Sequence, residues 1–136
     1  MNKTIRVKIV TPANVVFDME AQMVTMPGEL GEFEVLPGHE LLIANLKDGL
    51  TKITVDNSVF KYFIYSGLAE VTWTNVNIVT EFAVDTSSLQ LHEIIRKIDS
   101  LTKEIDEEID DTKIDIVKLD IVKLDIARYE SLLAHI

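Results

Sequence analysis

The sequence predicts an α+β chain with its strands first and its helices second. Three observations carry this reading. Apolar residues recur at every second position up to about Val84, the spacing of half-buried strands. Turn-forming pairs separate these runs at short intervals, as in a sandwich or barrel. Beyond Asp85 the apolar spacing changes to three and four, the period of an amphipathic helix. Two domains follow, a β domain over residues 1–85 and a helical one over residues 86–136.

Ile5, Val7 and Ile9 alternate with Arg6 and Lys8 in the first clear strand. Phe33 and Val35 alternate with Glu32 and Glu34, and Ile53 and Val55 with Lys52 and Thr54. Phe60, Tyr62 and Ile64 make one face of the next run; Val76, Ile78, Thr80 and Phe82 make one face of the last. The punctuation is Thr11-Pro12, Pro27-Gly28, Pro37-Gly38, Asp48-Gly49, Asp56-Asn57, Ser66-Gly67 and Thr74-Asn75. Asp56-Asn57 reads as a tight hairpin, because both residues tolerate positive φ.

Asp85-Thr86-Ser87-Ser88 breaks the strand pattern, and Ser87 with Gln90 has the spacing of a capping box. Leu91, Ile94, Ile98, Leu101, Ile105 and Ile109 then form one stripe. A turn is expected near Asp106–Asp111, where like charges crowd. The second helix contains DIVKL twice in succession, Asp115 to Leu119 and Asp120 to Leu124. Five residues advance a helix by about 140°, so its apolar groups occupy two faces. Leu119, Val122, Ile126, Tyr129, Leu133 and Ile136 form one stripe, suited to pairing with the first helix as an antiparallel hairpin. Ile114, Val117, Ile121 and Leu124 form another, which needs a partner of its own: the β domain, another subunit, or each in turn.

Composition narrows the function. The chain has 136 residues and no cysteine, which removes disulfides and thiolate metal sites. No apolar run is long enough to cross a bilayer, and MNKTIRVKIV lacks the plan of a signal peptide. The expectation is a cytosolic chain, or one on the cytosolic face of an assembly, without direct bilayer insertion. The net charge is −10, shared about equally by the two parts, so nucleic acid is excluded as a partner on electrostatic grounds. His39, His92 and His135 are too scattered to bind a metal, and no nucleophile or phosphate-loop motif is present. No cofactor is expected. Glu29, Glu32 and Glu34 invite comparison with a glycosidase carboxylate pair, but Glu32 and Glu34 share the solvated face of a strand. The chain is read as a non-catalytic one.

The stretch PGELGEFEVLPGH, Pro27 to His39, holds three of the five glycines and two of the three prolines. It lies inside Val10 to Gly49, VTPANVVFDMEAQMVTMPGELGEFEVLPGHELLIANLKDG, which resembles the epsilon subunit of bacterial and chloroplast F-type ATP synthases, the counterpart of mitochondrial delta. Ile64 to Glu81, IYSGLAEVTWTNVNIVTE, is similar to a second segment of that family, with Leu68 where a glycine is frequent. The resemblance covers essentially the whole chain. It implies a ten-stranded β-sandwich followed by an antiparallel helix pair. It implies a peripheral rotor subunit of the central stalk, on the cytoplasmic face of the bacterial inner membrane. There it would pack on gamma, stand on the c ring and couple rotation to the catalytic head.

The resemblance also implies residue roles. Glu29 and Glu32 would meet polar loops of the c ring. Pro37, Gly38 and His39 would lie near gamma and the ring, with Ser66, Gly67 and Glu70 close by. The helices would extend toward the catalytic alpha and beta subunits and restrain ATP hydrolysis, using Lys113, Lys118, Lys123 and Arg128. Some family members bind ATP through Leu/Ile-Asp-x-x-Arg-Ala. Here Leu91 to Arg96 has His92 for the aspartate and Ile95 for the arginine, with Arg96 one step late. That departure counts against nucleotide binding at Leu91, His92 and Arg96. The residues alone also allow an alternative, a free-standing acidic adaptor whose helices make a dimer; the stripe Leu91 to Ile109 is short for that.

Overall fold

The computed structural model of the chain describes residues 3–110 and 116–136. Ten strands precede two helices, as expected. They are β1 (Ile5–Val10), β2 (Val15–Ala21), β3 (Met23–Gly28), β4 (Gly31–Val35), β5 (Leu42–Leu46), β6 (Gly49–Val55), β7 (Ser58–Ile64), β8 (Gly67–Val71), β9 (Asn75–Val79) and β10 (Ala83–Asp85). The helices are α1 (Leu91–Asp110) and α2 (Ile116–His135). Two compact units result, Met1–Ser87 and Ser88–Ile136.

Hydrogen bonds run β10–β7–β6–β3–β5–β8–β9–β1–β2, with β4 pairing to β3. One register explains how this folds into two layers. Val55 pairs with Ser58, Gly49 with Ile64, Leu46 with Gly67 and Leu42 with Val71. The two segments from 42 to 55 and from 58 to 71 thus keep a single antiparallel frame and form one long hairpin. It bends near 46–49 and 64–67, so that each of its strands serves both layers, a known way of turning a sandwich corner. Phe17 of β2 meets Phe60 and Tyr62 of β7 edge-to-face at 5.5 Å. These contacts join the two layers across the interior.

The core is the inward-facing side of the strands. Ile5, Val7, Ile9, Val76, Ile78, Ala69 and Val71 from one layer close on Val24, Met26, Val35, Ile53 and Ile64 from the other. Burying each large side chain contributes roughly 1.5–3 kcal/mol. The alternation read from the sequence therefore selects the inner face correctly.

Local chemistry shapes the bends. Asp56 takes φ 54° in the β6–β7 turn, the left-handed position falling on it and not on Asn57. Its N–H donates to Gln22 Oε1 at 2.7 Å, tying the turn to the β2–β3 link. At Gly67 an added Cβ would stand 2.6 Å from Val79 O, so only glycine lets β8 lie this close to β9 there.

The capping box does not form. Ser87 N–H and Oγ both bond Asp85 Oδ1, at 2.9 and 2.7 Å, within a short 3₁₀ turn, Thr86–Ser88. Gln90 supplies the carbonyl that starts α1, accepting from Glu93 and Ile94 N–H. Aspartate two residues back outcompetes the more distant helix donors. α1 ends at Asp110, and the turn expected near Asp106–Asp111 otherwise falls on residues 111–115, outside the described residues. Ile94 and Leu101 are buried on α1, Val122 and Leu132 on α2, and the two helices pack on each other as a hairpin. The second stripe stays open: Val117, Ile121 and Leu124 are 69%, 57% and 43% exposed. Ile109 and Ile114 cannot be placed on either stripe, since Ile114 and the side chain of Ile109 lie outside the described set.

Two predictions follow from buried polar groups. Thr51 Oγ1 is buried without a hydrogen-bond partner among the described residues. Thr51→Val, close in shape, should stabilise the β unit by about 1 kcal/mol; thermal unfolding that shifts downward would contradict this. Burial, and then Asp85, raise the Tyr62 phenol above its ordinary pKa of 10.0. The folded state therefore favours the neutral phenol, so stability is intact below pH ~10 and falls as pH rises toward the raised value. Tyr62→Phe should flatten that alkaline limb in denaturant titrations.

Candidate interaction surfaces

The β unit presents two ends and an outer face on each layer. At the corner end, Gly28–Gly31 turns β3 into β4. Glu29 N–H donates to Asn45 O at 2.9 Å, which seats the turn against β5. Its carboxylate is exposed, Leu30 is fully exposed, and Glu32 points out beside Pro27 in the register. Gly28–Phe33 and Leu42–Asn45 border a shallow groove of about 440 Å³. Its walls combine carboxylates with exposed Leu30 and Ile43. Such a surface can receive a polar or cationic loop with an apolar contact beneath it.

Pro37, Gly38 and His39 lie at the opposite end of β4. Gly38 has φ 83°, a conformation that suits glycine. Its N–H donates to Trp73 O at 3.2 Å, and His39 N–H donates to Leu36 O at 3.2 Å. His39 Nδ1–H donates to Glu40 O at 2.8 Å. The structure thus separates these three residues from Glu29 and Glu32 by the length of a strand. Trp73, 68% exposed, accompanies them.

Ser66 and Gly67 sit at the corner. Ser66 takes φ 57°, and Thr80 Oγ1 donates to Ser66 O at 2.5 Å. Thr80 is buried and also bonds Phe82 O at 3.2 Å, so its hydroxyl joins the corner to the segment entering β10. Glu70 lies on the outer face in a cross-strand row with Ile43, Asn77, Lys8 and Asp18.

The neighbouring row is the surface that the sequence reading missed. Val15 pairs with Val10, Val10 with Val79, and Val79 with Leu68. Val15, Val79 and Leu68 are 52%, 56% and 42% exposed. Four strands therefore align an apolar row on the solvent side. Beside it is a depression of about 410 Å³ lined by Pro12, Gly67 and Thr80 among others. The signal was available: Ile9-Val10, Val15-Val16 and Ile78-Val79 are adjacent apolar pairs that break alternation. A pair of that kind places one apolar side chain on each face.

The outer face carries a charged corner too. Arg6 Nε donates to Asp18 Oδ1 at 2.6 Å, and Arg6 Nη1 lies 3.8 Å from Glu20. The hydrogen bond to Arg6 lowers the Asp18 pKa and raises that of Arg6. Exposed pairs of this type set register more than stability.

The helical candidates are dispersed. Lys118 and Lys123 are exposed but five residues apart, so about 140° separates them around α2. Arg128 is largely covered and reaches Asp125 Oδ1 at 3.4 Å. Lys113 lies outside the described residues. Leu91, His92 and Arg96 are exposed at the start of α1. Among the described residues no His, Asp and Glu group could hold a metal ion, and no helix is long and apolar enough to cross a membrane.

Comparison with known proteins adds three findings. The model of the ATP synthase, Delta/Epsilon chain, beta-sandwich domain matches residues 4–86. The ATP synthase epsilon chain of Rickettsia bellii is 45% identical over 108 residues, covering 77% of this chain and 100% of that one. The chain of the same name from Rickettsia prowazekii is 46% identical over 97 residues, 69% of this chain and 87% of that one. Among solved structures, a chain of the Euglena gracilis mitochondrial ATP synthase, in its OSCP/F1/c-ring assembly, superposes with TM-score 0.67. It is 18% identical and covers 98% of this chain and 82% of its own. A chain of the Tetrahymena thermophila mitochondrial ATP synthase central stalk and c ring gives TM-score 0.55 at 12% identity, covering 97% and 99%. These two likenesses concern the fold.

Proposed function

The chain belongs to the ATP synthase delta/epsilon chain family, and on that premise we propose that it is a central-stalk subunit of an F-type ATP synthase. It turns with the rotor and performs no bond chemistry itself. Its partners are gamma, the c ring and, through the helices, the catalytic alpha and beta subunits. Its place is peripheral, on the cytoplasmic face of a bacterial inner membrane. The observation that carries the reading is the family match over the entire β unit, joined to an exposed apolar row on that unit's outer face.

A rotor subunit has to transmit torque without slipping. A rigid sandwich with an apolar row meets that need, because burying the row at an interface gives affinity that salt does not screen. We assign the row Val15, Val10, Val79 and Leu68 to the gamma contact, with Ser66, Gly67 and Glu70 alongside. Glu29 and Glu32 are assigned to the polar loops of the c ring. Carboxylates on an exposed turn suit that role: they steer and orient a polar partner more than they bind it tightly. Pro37, Gly38 and His39, at the far end, form a separate contact. The helical unit acts as the restraint on ATP hydrolysis, with Lys118 and Lys123 as its exposed cations.

Two experiments test this reading. Leu68→Asp with Val79→Asp alters exposed positions, so the chain should still fold. Recovery of gamma with the tagged chain from solubilised membranes should drop by at least roughly tenfold. Glu29→Gln with Glu32→Gln should keep gamma and lose c ring at raised salt. Retention of both partners by both variants would remove the assignment. Deleting residues 88–136 spares the β unit with its own core. Assembly should persist while ATP hydrolysis rises; unchanged hydrolysis would remove the restraining role.

A further inference from the structure

We infer that α2 has two registers on α1, related by a screw of five residues, and that Leu132 holds the resting one. The inference rests on the hairpin alone. The buried or half-buried positions of α2 include Leu119, Val122, Ile126 and Tyr129. Five residues earlier stand Ile114, Val117, Ile121 and Leu124, apolar at every position. Val117, Ile121 and Leu124 stay exposed in the resting hairpin, Val117 and Ile121 along the groove beside α1. Sliding α2 by five residues is a shift of about 7.5 Å with a rotation of about 140°. Val117 then takes the place of Val122, Ile121 that of Ile126, and Leu124 that of Tyr129. Two of the three replacements are identical side chains.

The charges repeat as well. Lys118 moves to the place of Lys123, and Asp120 to the place of Asp125, which borders a groove together with Lys97 and Glu104 of α1. Over this half of α2 the registers differ in packing only where Leu124 replaces Tyr129 and Ile114 replaces Leu119. The C-terminal half separates them. Leu132 is fully buried, and the slide would put Ala127 in its place and Arg128 in that of Leu133. The resting register is pinned there.

The chain can span the slide. Six Cα steps separate Asp110 from Ile116 and reach up to about 20 Å when extended. Helix axes about 8–10 Å apart with a slide of about 7.5 Å require only about 12 Å. The unpartnered stripe is therefore the stored second copy of the packing face. The device presents one apolar stripe or its duplicate to the surroundings, according to register.

The test uses the absence of native cysteine. Spin labels on Glu93→Cys and Lys123→Cys, both exposed positions, report the separation of the helices' chosen points in the full chain. The resting register gives one distance; the shifted register carries residue 123 toward the C-terminal end of α2 and gives a second. Leu132→Ala weakens the pin only in the resting register, so the second population should grow at least roughly tenfold. Adding Ile121→Asp should abolish it, since that charge becomes covered only after the slide. A single distance in both the parent and Leu132→Ala, at unchanged helical circular dichroism, overturns the inference. So does a second distance that survives Ile121→Asp. Should Leu132→Ala lose helix, Leu132→Val gives the same readout, and an unchanged single distance there overturns it too.

Discussion

Everything in the β unit depends on the close approach of backbone at the sandwich corner. The long hairpin keeps one pairing frame from Asp56 to Leu42 and Val71, so its strands have to bend together to enter the second layer. Side chains at the bend would hold the strands apart. Gly67 removes one obstacle, since its Cβ would meet Val79 O at 2.6 Å. Gly49 removes another, since its Cβ would lie 2.8 Å from Pro27 Cβ. Ser66 accepts a left-handed conformation, and the buried Thr80 hydroxyl satisfies its carbonyl. Without that bend the apolar faces of the two layers would not meet, and the edge-to-face contacts of Phe17 with Phe60 and Tyr62 could not exist.

The same bend decides what the surface offers. It brings the ends of β1, β8 and β9 together, so that Val10, Leu68 and Val79 become neighbours although they are distant in sequence. It also places the Gly28–Gly31 turn against β5, where Glu29 N–H finds Asn45 O. One geometric constraint thereby produces an apolar row for tight contact and, at the same end, a carboxylate-bearing turn for orientation. The two surfaces suit different contacts. An apolar row gains affinity from desolvation, which is insensitive to direction, while a carboxylate-bearing turn orients a partner without adhering to it.

Legibility in the sequence followed the range of the interaction concerned. Alternation at Ile5–Ile9 and Val76–Thr80 marked the core because side-chain direction in a strand is local. The change of period at Asp85 marked the helices for the same reason. The separation of Glu29 and Glu32 from His39 follows from β4, which the alternation at Phe33 and Val35 marked; register between strands is not local, so the neighbours of each end, Asn45 and Trp73, could not be read. The apolar row was half visible, in adjacent apolar pairs such as Ile78-Val79, but its continuity required knowing that β1 lies beside β9. The cap failed at a finer level. Ser87 and Gln90 have capping-box spacing, yet Asp85 two residues back offers Ser87 a closer acceptor.

The two units solve opposite problems with the same apolar alphabet. In the β unit each strand has a single acceptable register, because a shift of one residue would turn Ile5, Val7 and Ile9 outward. Uniqueness comes from parity, and the glycines at the bend fix the frame. In α2 the repeated DIVKL relaxes that uniqueness, because a shift of five residues brings Val117 for Val122 and Ile121 for Ile126 onto the packing face. Specificity then falls to residues beyond the repeat, above all Leu132. A part that carries torque gains from having one register. A part with a second register held off by a few residues can change its exposed face, because a difference in what each register touches changes which one is populated.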